Sequence, residues 1–325
     1  MKFLSLITLL IISYNIFAQS ADLDKHSLPV SYVHLPDEPI LEKSNRTFSS
    51  NKSSLVIEGF EKTNSSASLV LEFYNQGTIV DNVNVNKHRH EQKDKEGNVI
   101  KVTYSYDVTA TYSTTANLTV TNNLISKTYT KEYAENDSYQ SSSFTSYSKA
   151  QDYYNNNKYT IRDKYRNEHS NKMLSSARNF LNNNYGFYIV NKNFNLKLMG
   201  SKKHPEFAKH QELYTSIKEI FSKMEGENSI KDLQTQIIPF LNSFEDITKK
   251  YTSSKKKERK VRFASYHNIA YIYYYLDMCD KAIEYADKIE ANDYSKSDAK
   301  YVRKISNNLK KLLEVNKLES RHVAI

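Results

Sequence analysis

"ASYHNIAYIYYYLDMCDKAIEYADKI", residues 264–289, decides how the carboxy-terminal half is read. Six tyrosines fall in these 26 residues, and the tract then turns to alanines and charges. Tyr266, Ile269, Ala270 and Tyr273 recur at spacings of three and four, which is one face of a helix. Ala282, Ala286 and Ile289 repeat the pattern, with Asp277 where a turn belongs. A small Ala270 lets two helices approach closely, and a small Ala282 does the same from the other side. Tyr266 and Tyr273 fill the space around that contact.

In this order the residues resemble a tetratricopeptide repeat, whose signature sets a large aromatic, a leucine, a small residue and a tyrosine on a first helix and an alanine on a second. Tyr266, Ile269, Ala270, Tyr273 and Ala282 take those places without a gap. Ala286, Ile289 and Tyr294 depart from the pattern, where an aromatic, a small residue and a proline are usual. A generic helical hairpin with small residues at its crossing would share the arrangement. The match covers residues 263–296, reaches loosely back over 205–250, and makes a lysine-rich helix over 296–318 the cap that solenoids need. The resemblance implies a groove for a peptide or protein surface, lined by first helices. It makes His267, Asn268, Tyr271 and Tyr274 the candidate partner-binding residues.

Upstream, the period changes to two. In "VIKVTYSYDVTATY" (99–112), Val102, Tyr104, Tyr106, Val108, Ala110 and Tyr112 alternate with polar residues, as in an antiparallel strand with one wet face. "SLVIEGF", "SLVLEFYN", "TIVDNVNVN", "ANLTVTN" and "LISKTYTKEY" read likewise as strands, with "NKHRHEQKDKEGN" as a polar hairpin between two of them. Residues 145–184 lose the alternation and take helical spacing at Met173, Leu174, Ala177, Phe180 and Leu181. "FYIVNKNFNLKLM" (187–199) alternates again and is expected to return to the sheet. Pro29, Pro36 and Pro39 favour an extended arm before it all. Pro205 marks a helix start, Ser229 a helix cap, and Pro239 a kink or split.

The expected fold class is therefore α+β: an N-terminal antiparallel β domain with a helical insertion, followed by a C-terminal all-α domain of helical hairpins. The expected divisions are a signal peptide at 1–20, an extended arm at 21–52, a mostly-β domain at 53–199 and a helical domain at 205–320. Lys2, the apolar run "FLSLITLLII" and Ala18 and Ser20 before a cleavage point carry the signal reading. Cys279 is the single cysteine, which excludes an internal disulfide framework. An exported chain without disulfides fits a Gram-negative envelope, in the periplasm or outside the cell.

Six glycines in 325 residues, none spaced for a dinucleotide or phosphate loop, exclude those nucleotide-binding classes. No cofactor is expected. The formal charge is +9, or +8 without Lys2, in a chain rich in Lys, Asn and Tyr. "KKYTSSKKKERKVR" (249–262) concentrates basic residues, and Lys255, Lys256, Lys257, Arg259, Lys260 and Arg262 could touch an anionic surface. "HRH" at 88–90 places two histidines on one side of a strand without a third metal ligand nearby. The leading functional expectation is a non-catalytic binding or scaffold protein that contacts another envelope protein or peptide. It is not expected to bind nucleic acid or to be an integral membrane protein. The alternatives are a secreted hydrolase with its site in the β domain, or a binder of anionic surfaces.

Overall fold

The computed structural model describes residues 21–325, so the expected signal segment lies outside the described residues. The chain is mixed α+β, with most strands amino-terminal and most helices carboxy-terminal. Its strands are β1 (Leu23–His34), β2 (Thr47–Ser50), β3 (Glu61–Lys62), β4 (Leu69–Lys93), β5 (Val99–Asn122), β6 (Lys127–Gln140) and β7 (Tyr188–Met199). Its helices are α1 (Tyr147–Tyr185), α2 (Phe207–Phe221), α3 (Lys231–Gln236), α4 (Ile238–Lys250), α5 (Lys256–Tyr275), α6 (Cys279–Ala291) and α7 (Lys296–Val315). Two compact units form. One is Leu35–Tyr188, and the other joins the stretch up to His34 with Ile189–Ile325.

In the unit Leu35–Tyr188, one sheet runs in the order β3-β2-β4-β5-β6. It is not wholly antiparallel, because β2 runs parallel to both β3 and β4. Segments expected as separate strands merge. "SLVLEFYN" and "TIVDNVNVN" are one strand, β4, bent where its register shifts between Asn75 and Thr78 and between Asp81 and Asn84. Gly77 (φ 102°) and Asn82 (φ 53°) supply the left-handed backbone there. β5 likewise runs through both "VIKVTYSYDVTATY" and "ANLTVTN". The polar hairpin shrinks to Asp94–Asn98, where the Asp94 carboxylate accepts the N–H groups of Glu96 and Asn98. "SLVIEGF" makes no strand, and β3 begins only after it, at Glu61. Its Leu55 and Ile57 instead plug the core from turns.

Helix α1 covers one face of this sheet. On β5, Val108, Ala110, Tyr112, Thr114, Ala116, Leu118 and Val120 all point inward and are buried. Against them α1 sets Ala150, Tyr154, Ile161, His169, Met173, Ala177 and Leu181, all at helical spacing. A period of two thus meets a period of about 3.6 across one interface. Each large apolar side chain buried there stabilises the unit by about 1.5–3 kcal/mol. His169 is the polar exception, and it is satisfied. Its Nδ1 meets Thr114 Oγ1 at 2.8 Å and its Nε2 meets Asp137 Oδ2 at 3.1 Å. The opposite face of β5, with Thr111, Ser113, Thr115, Thr119 and Thr121, is the wet face.

β7 does not rejoin that sheet. It pairs with β1 as a separate two-stranded ribbon in the other unit. The ribbon buries Leu28, Val30, Phe194, Leu196, Leu198 and Met199 in one core with α2, α4, α5 and α6. The expected arm at 21–52 is therefore divided, its first part being a strand of the helical unit. Pro239 splits its helical stretch as expected, standing in the first turn of α4. The N-cap of α3 is Ile230, one residue beyond Ser229, whose Oγ accepts the Lys231 N–H at 3.4 Å. The short turn from α5 to α6 makes them adjacent antiparallel neighbours. Ala270 and Ala282, fully buried, stand on these two helices. α7 buries Ala299, Val302, Leu309 and Leu313 on one face, while Val315 is exposed. Among the described residues, no helix is long and apolar enough to cross a membrane.

Asp277 fixes the α5–α6 turn in the left-handed region (φ 58°) and holds the carboxy terminus. Its Oδ1 accepts Arg321 Nε at 2.7 Å, and its Oδ2 accepts the Arg321 backbone N–H at 2.6 Å. The Arg321 guanidinium lies 4.2 Å from the Tyr32 ring centre. Burial pushes the Asp277 carboxyl up, but the Arg321 charge and the His322 hydrogen bond outweigh it and hold it at about 2. A folded pKa below the usual carboxylate value stabilises the fold above about pH 4, and that gain fades as pH falls toward 2. Asp277→Asn tolerates the backbone but leaves Arg321 buried without its anion. We expect chemical denaturation at pH 7 to show a loss of about 3–5 kcal/mol. The acid limb of the stability–pH curve should flatten in the variant, and an unchanged limb would mean that the ion pair contributes nothing.

Candidate functional site

The resemblance-derived site lies on α5. This helix buries residues all round, including Phe263, Ala264, His267, Asn268, Ile269, Ala270, Ile272 and Tyr275. A helix apolar on every side must be covered on every side. α6 covers one side, where the Tyr285 ring meets those of Tyr266 and Tyr273. β7 covers another. The Asn268 amide reads the β7 backbone at a single residue, because its Oδ1 accepts the Lys197 N–H at 2.7 Å and its Nδ2 donates to the Lys197 carbonyl at 2.9 Å. An asparagine side chain thereby substitutes for the hydrogen-bonding edge of a neighbouring strand.

His267 lies beside this contact, 4 % exposed. Its ring stacks on Tyr271 with centroids 4.4 Å apart and meets Phe263 at 5.7 Å. Burial first, and the nearby Lys197 ammonium second, depress its pKa to about 3, so the ring is neutral at pH 7. Lys197 reaches Asp298 on α7 at 3.4 Å and sits 4.4 Å from the Phe263 ring centre. Tyr274 lies against the Arg321 guanidinium, and its carbonyl accepts from that group at 3.0 Å. The expectation that His267 and Asn268 face a partner is thus corrected, since both are buried. Tyr271 and Tyr274 are only half-buried. The cause is non-local, because β7 lies along the face that the repeat pattern leaves open. Lys197 and Asp298, which complete this cluster, were not among the expected site residues.

The basic stretch divides in two. Arg259 bonds the carbonyl and carboxylate of Asp293, each at 2.8 Å. Arg262 holds Asn292 and the carbonyls of Tyr251 and Ser253. Lys260 pairs with Asp22 at 3.6 Å. These three tie chain segments together. Lys255, Lys256 and Lys257 remain exposed at the start of α5.

Three other arrangements bear on chemistry. Ser320, His322 and Asp277 form a cluster, but both Ser320 Oγ and His322 Nδ1 turn to the same carboxylate oxygen, at 2.8 and 3.1 Å. His322 Nε2 meets the Ser31 carbonyl at 3.0 Å. Both ring nitrogens anchor the tail, leaving none to take a proton from a nucleophile. Cys279 borders an open cavity of about 460 Å³, with Met278, Leu313, Leu318 and the Asp280–Lys310 pair. Burial, and then the Asp277 charge, push its thiol up to about 11, away from the reactive thiolate. His88 of the "HRH" motif meets Asp107 across the hairpin at 2.9 Å, while His90 meets Ser105 at 2.6 Å. Among the described residues, no three His, Cys, Asp or Glu side chains are placed to hold a metal ion.

Replacing Asn268 by Ala would strand the Lys197 N–H and carbonyl away from water. Each orphaned group costs about 1–3 kcal/mol. We expect a fall in melting temperature and faster hydrogen exchange at the Lys197 amide, with the unit Leu35–Tyr188 unaffected. Unchanged exchange at Lys197 would show that the amide does not hold the strand.

Comparison of the chain with protein-family models, with curated proteins and with solved structures finds no match.

Proposed function

We propose that this chain is a non-catalytic binding or scaffold protein, exported to the bacterial cell envelope and acting through protein–protein contacts of tetratricopeptide-like helices. The observation that carries the reading is the grip of α5 on β7, a helix face holding an extended backbone through Asn268 at 2.7 and 2.9 Å. The short α5–α6 turn and the buried Ala270 and Ala282 agree with the repeat resemblance. α7 follows α6, at the place where the resemblance would set a cap. Because the chain's own strand fills the α5 face, a partner must use what remains open. On the helical layer that includes Tyr301 of α7, 54 % exposed. Tyrosine suits such a contact, giving area and a hydrogen bond at low entropic cost. The anionic-surface reading contracts to Lys255, Lys256 and Lys257, since the other three basic candidates are engaged within the fold.

A photo-crosslinking residue in place of Tyr301, in cells, tests the proposal. The expected outcome is a discrete adduct with one envelope protein, unchanged when Lys255, Lys256 and Lys257 are replaced by Ser. Absence of a discrete adduct overturns the α7 contact. An adduct that disappears with the lysines, or with added salt, transfers the function to anionic binding.

A further inference from the structure

The five-stranded sheet ends on one side at β3, which is only two residues long, and on the other at β6. β6 is long and regular, pairing with β5 without a break from Lys127 to Gln140. The Ser141 N–H donates to the Val108 carbonyl, which fixes the phase of this ladder. Residues 127, 129 and onward to 139 turn their backbone groups to β5. Thr128, Thr130, Glu132, Ala134, Asn136 and Ser138 turn theirs outward, and all six are exposed. The same chain reaches this row at Ser138, whose carbonyl accepts the Tyr165 hydroxyl at 3.3 Å.

Proteins ordinarily protect such an edge by shortening it, bulging it, or adding proline or lysine. The other edges of this sheet follow that practice. β3 is short. The β4–β5 pairing carries three register shifts, and its outer part carries Lys87, Arg89, Lys93 and Lys101. β6 has no proline and no bulge. Its charges are also ordered along the strand: on the face that α1 covers, Lys127 and Lys131 lie toward one end and Glu135 and Asp137 toward the other, where Lys172 of α1 reaches them at 3.9 and 2.8 Å, while Glu132 stands on the opposite face.

We propose that β6 is the interface between two copies of this chain, paired antiparallel about a two-fold axis at Tyr133 so that the two sheets become one. An isologous contact needs a self-complementary surface. In this register Lys131 of each copy faces Glu135 of the other in a non-hydrogen-bonded pair, where side chains approach most closely. Tyr129 faces Asp137, and Tyr133 meets its own mate. The outward groups from Thr128 to Ser138 all find partners. A parallel pairing in register would set lysine against lysine. Moving the axis to Glu135 would set that carboxylate against itself.

Sedimentation velocity on the purified chain at rising concentration tests this. The expected result is a species of twice the chain mass. Ala134→Pro removes an outward N–H and leaves the ladder to β5 intact, so it should give a monomer with an unchanged circular dichroism spectrum and melt. Lys131→Glu should weaken the dimer by about tenfold or more. Lys131→Glu combined with Glu135→Lys should restore it, and that recovery keeps the test valid if the proline variant misfolds. A chain that stays monomeric, or a dimer indifferent to the charge reversal, overturns the proposal. So does a monomer whose β6 amides become protected only on adding envelope extract, since the edge would then take another protein's strand.

Discussion

Two strands cannot shield an apolar face by themselves, and neither can a few helical hairpins. In this chain each supplies the cover the other lacks. β1 and β7 bring Leu28, Val30, Phe194, Leu196 and Leu198 to the helices, and α5 meets them with residues buried on every side. The Asn268 amide makes the arrangement specific, because apolar contact alone would let the strand slide. A hydrogen-bonded pair at one residue selects a single register, since a slip by one residue would turn Leu196 and Leu198 away from the core.

The other unit solves the same problem with one long helix. α1 spans 39 residues with little amphipathic contrast, but its buried positions follow β5 closely enough to cover the sheet. The contrast is weak because tyrosine occupies many of the contacts, as at Tyr112 and Tyr165, whose rings stack 4.6 Å apart. Tyrosine reads as half-polar in a sequence and packs as a large apolar plate in the core.

Local pattern therefore revealed much of the secondary structure and little of its pairing. The helical spacing from Met173 to Leu181 and the split at Pro239 follow from neighbours in sequence, and both form as read; the alternation from Lys101 to Tyr112 forms a strand, but only its later part has a buried face, since Val102 and Tyr104 are exposed and Asp107 is buried. β7 was legible as a strand from Phe194, Leu196 and Leu198, yet its partner β1 lies far away in the chain and no local signal points to it. That one gap misplaced His267 and Asn268, because the repeat pattern identifies a first helix without showing what covers it. The "HRH" motif suffered likewise. Asp107, which faces His88, comes into view only once the hairpin register is known. Arg259 and Arg262 read as members of a charged run, but their partners are carbonyls and side chains brought near by the fold.

The order of these pairings also sets an order in time. The unit Leu35–Tyr188 lies between β1 and β7 in the chain, and its own ends are fastened together, with the Asp37 N–H bonded to the Asn183 carbonyl and the Glu38 N–H to that of Asn184. It can close as soon as α1 is made. β1 is made before all of it but must wait, an unpaired strand, until β7 and the helices follow. The last step belongs to Arg321, which follows all of these elements in the chain and neutralises the buried Asp277 carboxylate. During synthesis the oldest segment of the helical unit is thus the one that stays exposed longest, and the newest one seals it.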